Sequence, residues 1–379
     1  MAVYLDHAAT SPPAPAVLAY YCDMLAEYSF NPSSAHAAGK RARALIDESL
    51  SMLAGCLGTS PERIIVTSGG TEAINQALRG YITPRRFEPH LLVSEGEHKA
   101  VIAAAAHYTE QDAAISHIPL DREGRPDIDK VMLDADKPPT MISVIYLSNE
   151  TGALTDLERI AVWRDTHCPH AVIHVDAVQA AGKIRLDFDR SGCDFLSVSG
   201  HKWGAPMGLG LLLHKQSERL RPLISGAGQQ RGLRSGTENA PLLAAAAFAL
   251  KRATSQLAAY EETAVSLKQS FLTRLRETKT MYTLISPASA LAHIVTIAFP
   301  LMGETMARIL SDEGYLVGRG AACSAGAGHK NRALKALGIP EETARQAVRI
   351  SFGPDNTPED VLGLADTIHA ALDRYGMHT

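Results

Sequence analysis

Phe195-Leu196-Ser197-Val198-Ser199-Gly200-His201-Lys202 is an apolar, β-prone run that stops abruptly at Ser-Gly and delivers a histidine and a lysine. It predicts a buried strand ending at an amine. Lysine is rarely buried without a partner, yet this one stands where a core strand stops, ahead of Trp203-Gly204-Ala205-Pro206 and the glycine-rich run Gly208–Leu213. Burial disfavours the ammonium form, and a neutral amine can attack a carbonyl. Taken alone, a surface lysine closing a strand remains the commoner reading.

Upstream of this run, short apolar stretches alternate with helix-length segments. They are Ile64–Thr67, Leu91–Ser94, Ala114–Ile118, Ile142–Leu147, Val172–Asp176, Phe195–Ser199 and, just after it, Gly210–Leu213. Seven strands in that rhythm predict an α/β fold with a mostly parallel, helix-covered sheet. Ala38, Ala42, Leu45, Ile46, Leu50 and Leu53 recur at spacings of three and four, which predicts an amphipathic helix over Ala37–Leu57. A shorter helix is expected near Ala16–Glu27. Past Thr237-Glu238-Asn239-Ala240-Pro241 no Gly or Pro occurs until Pro287, and a helix across much of that span would be about 50 Å long. Strand-like Ile294–Phe299 and Ala347–Phe352 and a helix from Pro358 to Tyr375 suit a small α+β domain, with the N-terminal residues packing on it.

Composition is that of an ordinary globular chain of 379 residues, 46% hydrophobic and 21% charged. A net charge of −4 gives no electrostatic case for binding nucleic acid or an anionic membrane. No run reaches the roughly 20 apolar residues of a membrane span, and the chain starts without a signal-like segment, so a cytoplasmic location is expected. Cys22, Cys56, Cys168, Cys193 and Cys323 are odd in number, with no Cys-x-x-Cys pair. Free thiols are expected, with neither a disulfide framework nor a zinc site or other metal.

In open α/β sheets ligands bind beyond the carboxyl ends of the strands, and those ends are polar here. Ser68-Gly69-Gly70-Thr71-Glu72 opens a helix after the first strand, where N–H groups and a hydroxyl can hold an anion. Glu97-His98-Lys99 follows the second, Asn149-Glu150 the fourth, and Asp176-Ala177-Val178-Gln179 ends the fifth. A buried aspartate needs a donor or cation. A protonated pyridine nitrogen serves, and the pair keeps the ring of pyridoxal phosphate an electron sink; helix capping is the plainer role for the same residue.

Together with Tyr4–Thr10, Asn31–His36, Arg234-Ser235-Gly236-Thr237 and Arg349, these motifs resemble the cysteine desulfurase branch of the class V aminotransferases, enzymes of fold type I that use pyridoxal 5'-phosphate. The resemblance implies that Lys202 links covalently to the cofactor, Asp176 holds its ring nitrogen, Gln179 its ring hydroxyl, and His98 stacks on the ring. Gly70, Thr71, Ser199 and His201 would hold the phosphate. Thr237 would reach the phosphate of the neighbouring subunit, which implies a homodimer, and Asn149 and Arg349 would bind the substrate carboxylate. The expected layout is a large cofactor-binding domain over residues 16–250 and a small α+β domain from 1–15 and 251–379.

Arg319-Gly320-Ala321-Ala322-Cys323-Ser324-Ala325-Gly326 sets a cysteine among small residues, where core cysteines have large apolar neighbours. Cys22, Cys168 and Cys193 are the better structural candidates, and Cys56 reads as core. Cys323 matches the family's nucleophile. The implied reaction turns L-cysteine into L-alanine and leaves a persulfide on Cys323 for an acceptor protein, in iron–sulfur cluster assembly, tRNA thiolation or another sulfur insertion. A selenocysteine lyase or another class V enzyme is the alternative. The short stretch after Arg349 predicts that a longer scaffold-docking tail is absent.

Overall fold

The computed structural model describes residues 2–81, 88–109, 113–134, 137–319 and 332–375. The chain enters as strand β1 (Val3–Leu5), then forms α1 (Pro15–Tyr28) and α2 (Ala37–Leu57). α2 has the bounds its periodicity predicts. His36 Nδ1 caps it by accepting the Gly39 N–H at 3.2 Å, and Ala42, Ile46 and Leu53 on its predicted stripe are fully buried. Each of the larger two contributes roughly 1.5–3 kcal/mol by leaving water.

The α/β rhythm follows as β2 (Ile64–Thr67), α3 (Gly70–Gly80), β3 (His90–Ser94), α4 (Lys99–Thr109), β4 (Ala114–Ile118), β5 (Met141–Ile145), α5 (Leu157–His167), β6 (Val172–Asp176), β7 (Phe195–Ser199) and β8 (Gly210–His214). These strands form one sheet in the order β2-β8-β7-β6-β5-β3-β4, parallel except where β8 runs against both its neighbours. Both faces are covered, so both members of each alternating pair are apolar. Leu92, Val144, Val175, Leu196 and Leu213 join α2, α5 and the helix that follows the sheet in one core. Leu91, Val93, Phe195 and Leu212 join α3 and α4 in the other.

Helix α6 (Ala240–Ser255) leads to α7 (Leu257–Glu277). The single long helix expected here is broken at Gln256, whose φ of −116° and ψ of 10° leave the helical region. The stretch contains neither Gly nor Pro, so tertiary packing ends the helix: α6 packs on α1 and α2, and α7 packs on the last helix of the chain. A second sheet then forms from β9 (Thr283–Leu284), β10 (Ile294–Ala298), β11 (Tyr315–Arg319), β12 (Ala347–Ser351) and the returning β1, in the order β1-β11-β12-β10-β9. α8 (Gly303–Asp312), α9 (Arg332–Ala336), α10 (Glu341–Arg345) and α11 (Pro358–Tyr375) complete it. Leu5, Phe271, Val295, Ile350 and Leu364 share its core. β9 and β11 were not anticipated; two residues are too few to carry a period, and β11 has a glycine within it.

Cys168 and Cys193 are buried and Cys56 packs partly against the larger core, whereas Cys22, expected to be structural, is exposed on α1. No described helix is long and apolar enough to cross a membrane.

Candidate active site

Every parallel strand of the large sheet stops at the same edge, and the loops there wall a cavity of about 400 Å³. Its lining includes Gly70 and Thr71 after β2, His98 after β3, Asn149 after β5, Asp176 and Gln179 at the end of β6, and Ser199, His201 and Lys202 at the end of β7. Ala8 and Ala9 from the N-terminal segment and Arg349 from β12 close it.

 Ten of the twelve site residues named from sequence line the cavity; Thr237 is exposed and outside it, and Cys323 lies outside the described residues.

Burial sets the electrostatics. Lys202 Nζ donates to Ala8 O at 2.6 Å and Ala9 O at 2.8 Å. Desolvation first, then the Arg349 charge, brings its amine down to about 8. Asp176 is 3% exposed, and its hydrogen bond among the described residues comes from the Val178 N–H at 3.0 Å. Burial pushes its carboxyl up, while His98 and Lys202 pull it down. Gln179 Nε2 donates to Ala8 O at 2.6 Å, leaving its Oε1 buried without a partner among the described residues. His98 Nδ1 accepts the Ala100 N–H at 3.2 Å, which puts the proton of a neutral ring on Nε2. The side chain that caps the start of α4 therefore also lines the cavity. His201 pairs with Thr10 Oγ1 at 3.1 Å, and desolvation with the nearby lysines holds its ring neutral, down to about 4.

At the head of α3, Gly70 lets the backbone approach closely: a Cβ there would stand 2.7 Å from Val178 Cγ2 and 3.3 Å from Ser199 Cβ. The first N–H groups of that 11-residue helix, with the Thr71 and Ser199 hydroxyls, form a cradle of anion-binding character. Across the cavity, Arg349 Nη1 donates to Asn149 O at 3.1 Å and Nη2 to Asp6 Oδ1 at 2.9 Å, while Nε is buried without a partner among the described residues.

Three residues that the sequence reading left without a role belong to this environment. Lys183 is 4% exposed, donates to Lys202 O at 3.3 Å, and is brought down to about 7 by desolvation and by the Lys202 charge. Glu97 is buried beside His98, and desolvation with the Asp176 charge pushes its carboxyl well up. Asp6 holds Arg349. An isolated lysine inside Ala180-Ala181-Gly182-Lys183-Ile184 and an acid directly before a site histidine were the available signals; nothing local marks Asp6.

The family description Aminotransferase class-V matches residues 3–364 of the chain. A NifS/IcsS protein homolog of Lactobacillus delbrueckii subsp. bulgaricus is 32% identical, covering 99% of this chain and 97% of the relative. The cysteine desulfurase IscS of Dictyoglomus turgidum is 31% identical over 98% of this chain and 95% of its own length. Among solved structures, a NifS-like protein superposes with a TM-score of 0.91 at 29% identity, covering 99% of this chain and all of that one (100%).

Proposed function

The chain belongs to the class-V aminotransferase family, and on that premise we propose that it works as a pyridoxal-phosphate-dependent cysteine desulfurase. It turns L-cysteine into L-alanine and leaves the sulfur on Cys323 as a persulfide for an acceptor protein. The observation that carries the reading is the meeting of a desolvated lysine, a buried aspartate and a guanidinium from distant parts of the chain in one cavity.

The pocket suits the cofactor. Asp176 and Gln179 Oε1 are buried without the partners that a ring N–H⁺ and a ring hydroxyl would provide, and the cradle at Gly70 is shaped for a phosphate that a Cβ would exclude. Bound there, pyridoxal phosphate supplies an electron sink that labilises bonds at the substrate's α-carbon and β-carbon. All other work falls to the chain. An amine brought down to about 8 has a substantial neutral fraction near neutral pH, and two carbonyls aim Lys202 Nζ for covalent attachment. Nε2 of His98 is positioned to move a proton at the substrate. Arg349 and Asn149 orient the substrate carboxylate, for which a guanidinium fork is the matching partner.

The sulfur step balances without a further reactant. The substrate's Cβ–S bond breaks, an S–S bond forms to Cys323, and the β-carbon gains a proton, so one thiol and one cysteine give one persulfide and one alanine. Burial pushes the Cys168 and Cys193 thiols up to about 11 and about 12, which makes them poor nucleophiles and supports Cys323 in the role. The exposed Thr237, outside this chain's own cavity, supports a place for it against the phosphate of a partner subunit in a homodimer. We place the domains at residues 16–250 and at 1–15 with 251–379; the support is that β1 joins the second sheet and that the helix break at Gln256 falls close to that boundary.

Incubating the purified enzyme with L-cysteine, then quantifying alanine and mapping the extra sulfur by mass spectrometry, tests the reading. One alanine per persulfide, located on Cys323, is expected. Sulfide release at the wild-type rate from Cys323→Ser in the presence of a thiol reductant would overturn the assignment.

A further inference from the structure

The N-terminal segment places an acid where the substrate's acid is expected. Asp6 follows β1, and its backbone is fixed independently of its side chain: its carbonyl accepts from the Tyr4 hydroxyl at 3.1 Å and from the Ala9 N–H at 2.9 Å. Its carboxylate takes Arg349 Nη2 at 2.9 Å. A guanidinium carries five donors, and among the described residues the second contact is to Asn149 O, with Nε buried and unpartnered. The fork is held but not saturated.

The pair also has a space made for it. Gly318 on β11 lies opposite Arg349, and a Cβ there would stand 2.6 Å from Asp6 Oδ1 and 3.0 Å from Arg349 Nη2. The two partners are unequally exposed, the Asp6 side chain 22% and that of Arg349 10%. Arg349 is the more buried of the two, and the Asp6 side chain has water beside it.

Resting on the reading of Arg349 as the carboxylate-binding residue, we propose that Asp6 is a specificity-determining occupant of that subsite. It neutralises Arg349 while the subsite is empty and yields to the incoming α-carboxylate. A ligand that brings a carboxylate competes with Asp6, whereas one that brings only an amine and a thiol leaves the pair in place. Removing the Asp6 charge therefore tightens carboxylate binding, the reverse of what loss of a structural ion pair would do.

The cofactor-loaded enzyme is titrated calorimetrically with 3-mercaptopropionate, which carries a carboxylate and a thiol but no amine, and with cysteamine, which lacks the carboxylate. Asp6→Asn binds 3-mercaptopropionate roughly fivefold more tightly, as expected for releasing a partly exposed ion pair, with a lower KM for L-cysteine and unchanged affinity for cysteamine. Asp6→Ser, a second neutral replacement, shifts in the same direction. Arg349→Lys weakens 3-mercaptopropionate by about tenfold or more. If Arg349→Lys leaves that affinity unchanged, the carboxylate subsite itself is misassigned and the role of Asp6 falls with it. If Arg349→Lys weakens binding but both Asp6 variants bind as the wild type or more weakly, or neither variant folds, Asp6 is structural and the proposal is overturned alone.

Discussion

The two walls of the cavity are built in opposite ways. On the large-sheet wall, polar groups are buried with valences open: among the described residues Asp176 has no ion-pair partner and Gln179 Oε1 has no hydrogen bond. On the small-sheet wall, Arg349 is already engaged by Asp6 and by the Asn149 carbonyl. Open valences in a dry site cost stability, and a protein retains them where a resident group completes them. A wall whose cation is already paired suits a ligand that comes and goes, because the charge is compensated between turnovers. Under the proposed function, the contrast separates a cofactor half from a substrate half.

The kinetic form of that contrast is the largest expected effect. Asp176→Asn on the cofactor wall lowers kcat by at least about a hundredfold, since it removes the charge that sustains the electron sink. Arg349→Lys on the substrate wall raises the KM for L-cysteine about tenfold or more, with a smaller change in kcat. Alanine formation under steady-state conditions measures both, and identical patterns in the two variants would erase the distinction.

Added methyl groups probe the walls next. Gly70→Ala brings a Cβ to 2.7 Å from Val178 Cγ2 and narrows the cradle, so cofactor retention on dialysis falls while the apoprotein still folds. Gly318→Ala meets the Asp6–Arg349 pair and costs about 1–3 kcal/mol by overpacking, read as a lower urea midpoint. A Gly70→Ala protein that keeps its cofactor as tightly as the wild type breaks the comparison on the cofactor side.

Acid sensitivity is a smaller and more distributed effect. Burial lowers His7 and His293 to about 4 and His174 to about 3, from an ordinary 6.5. Between pH 6.5 and about 4 the unfolded chain binds protons that the folded one does not, so stability falls as the pH drops through that window. Thermal unfolding of the apoprotein tracks it. His293, with both ring nitrogens unpartnered among the described residues and its ring edge-on to Tyr260, is the cleanest probe, and His293→Phe flattens the slope. The smallest expected change is at the exposed Cys22: Cys22→Ser leaves turnover and persulfide yield as in the wild type, which a second sulfur-carrying thiol would contradict.

The polar residues of the large-sheet wall were largely legible in the sequence. Its strands are short apolar runs whose ends are set by local chemistry, and a polar residue after a buried run reports its own position at the sheet edge. Lys202, Asp176, Gln179 and His98 were all named on that basis or on the resemblance it exposed, and all line the cavity. The small-sheet wall was read only in part. Arg349 came from the resemblance, but Asp6 carries no local mark, and its partner is 343 positions away. Lys183 was missed for the same reason, because an isolated lysine in an alanine–glycine run reads as solvent-facing until the packing buries it.

Period and propensity alone determined the seven strands, the span of α2 and the polar groups at the strand ends, since each depends on a residue and its near neighbours. The tertiary structure decided the break at Gln256, the return of β1 to pair with β11, and through it the meeting of Asp6 with Arg349. Those features have no local signal because their free energy lies in contacts between segments hundreds of residues apart, which exist only once both sheets have packed.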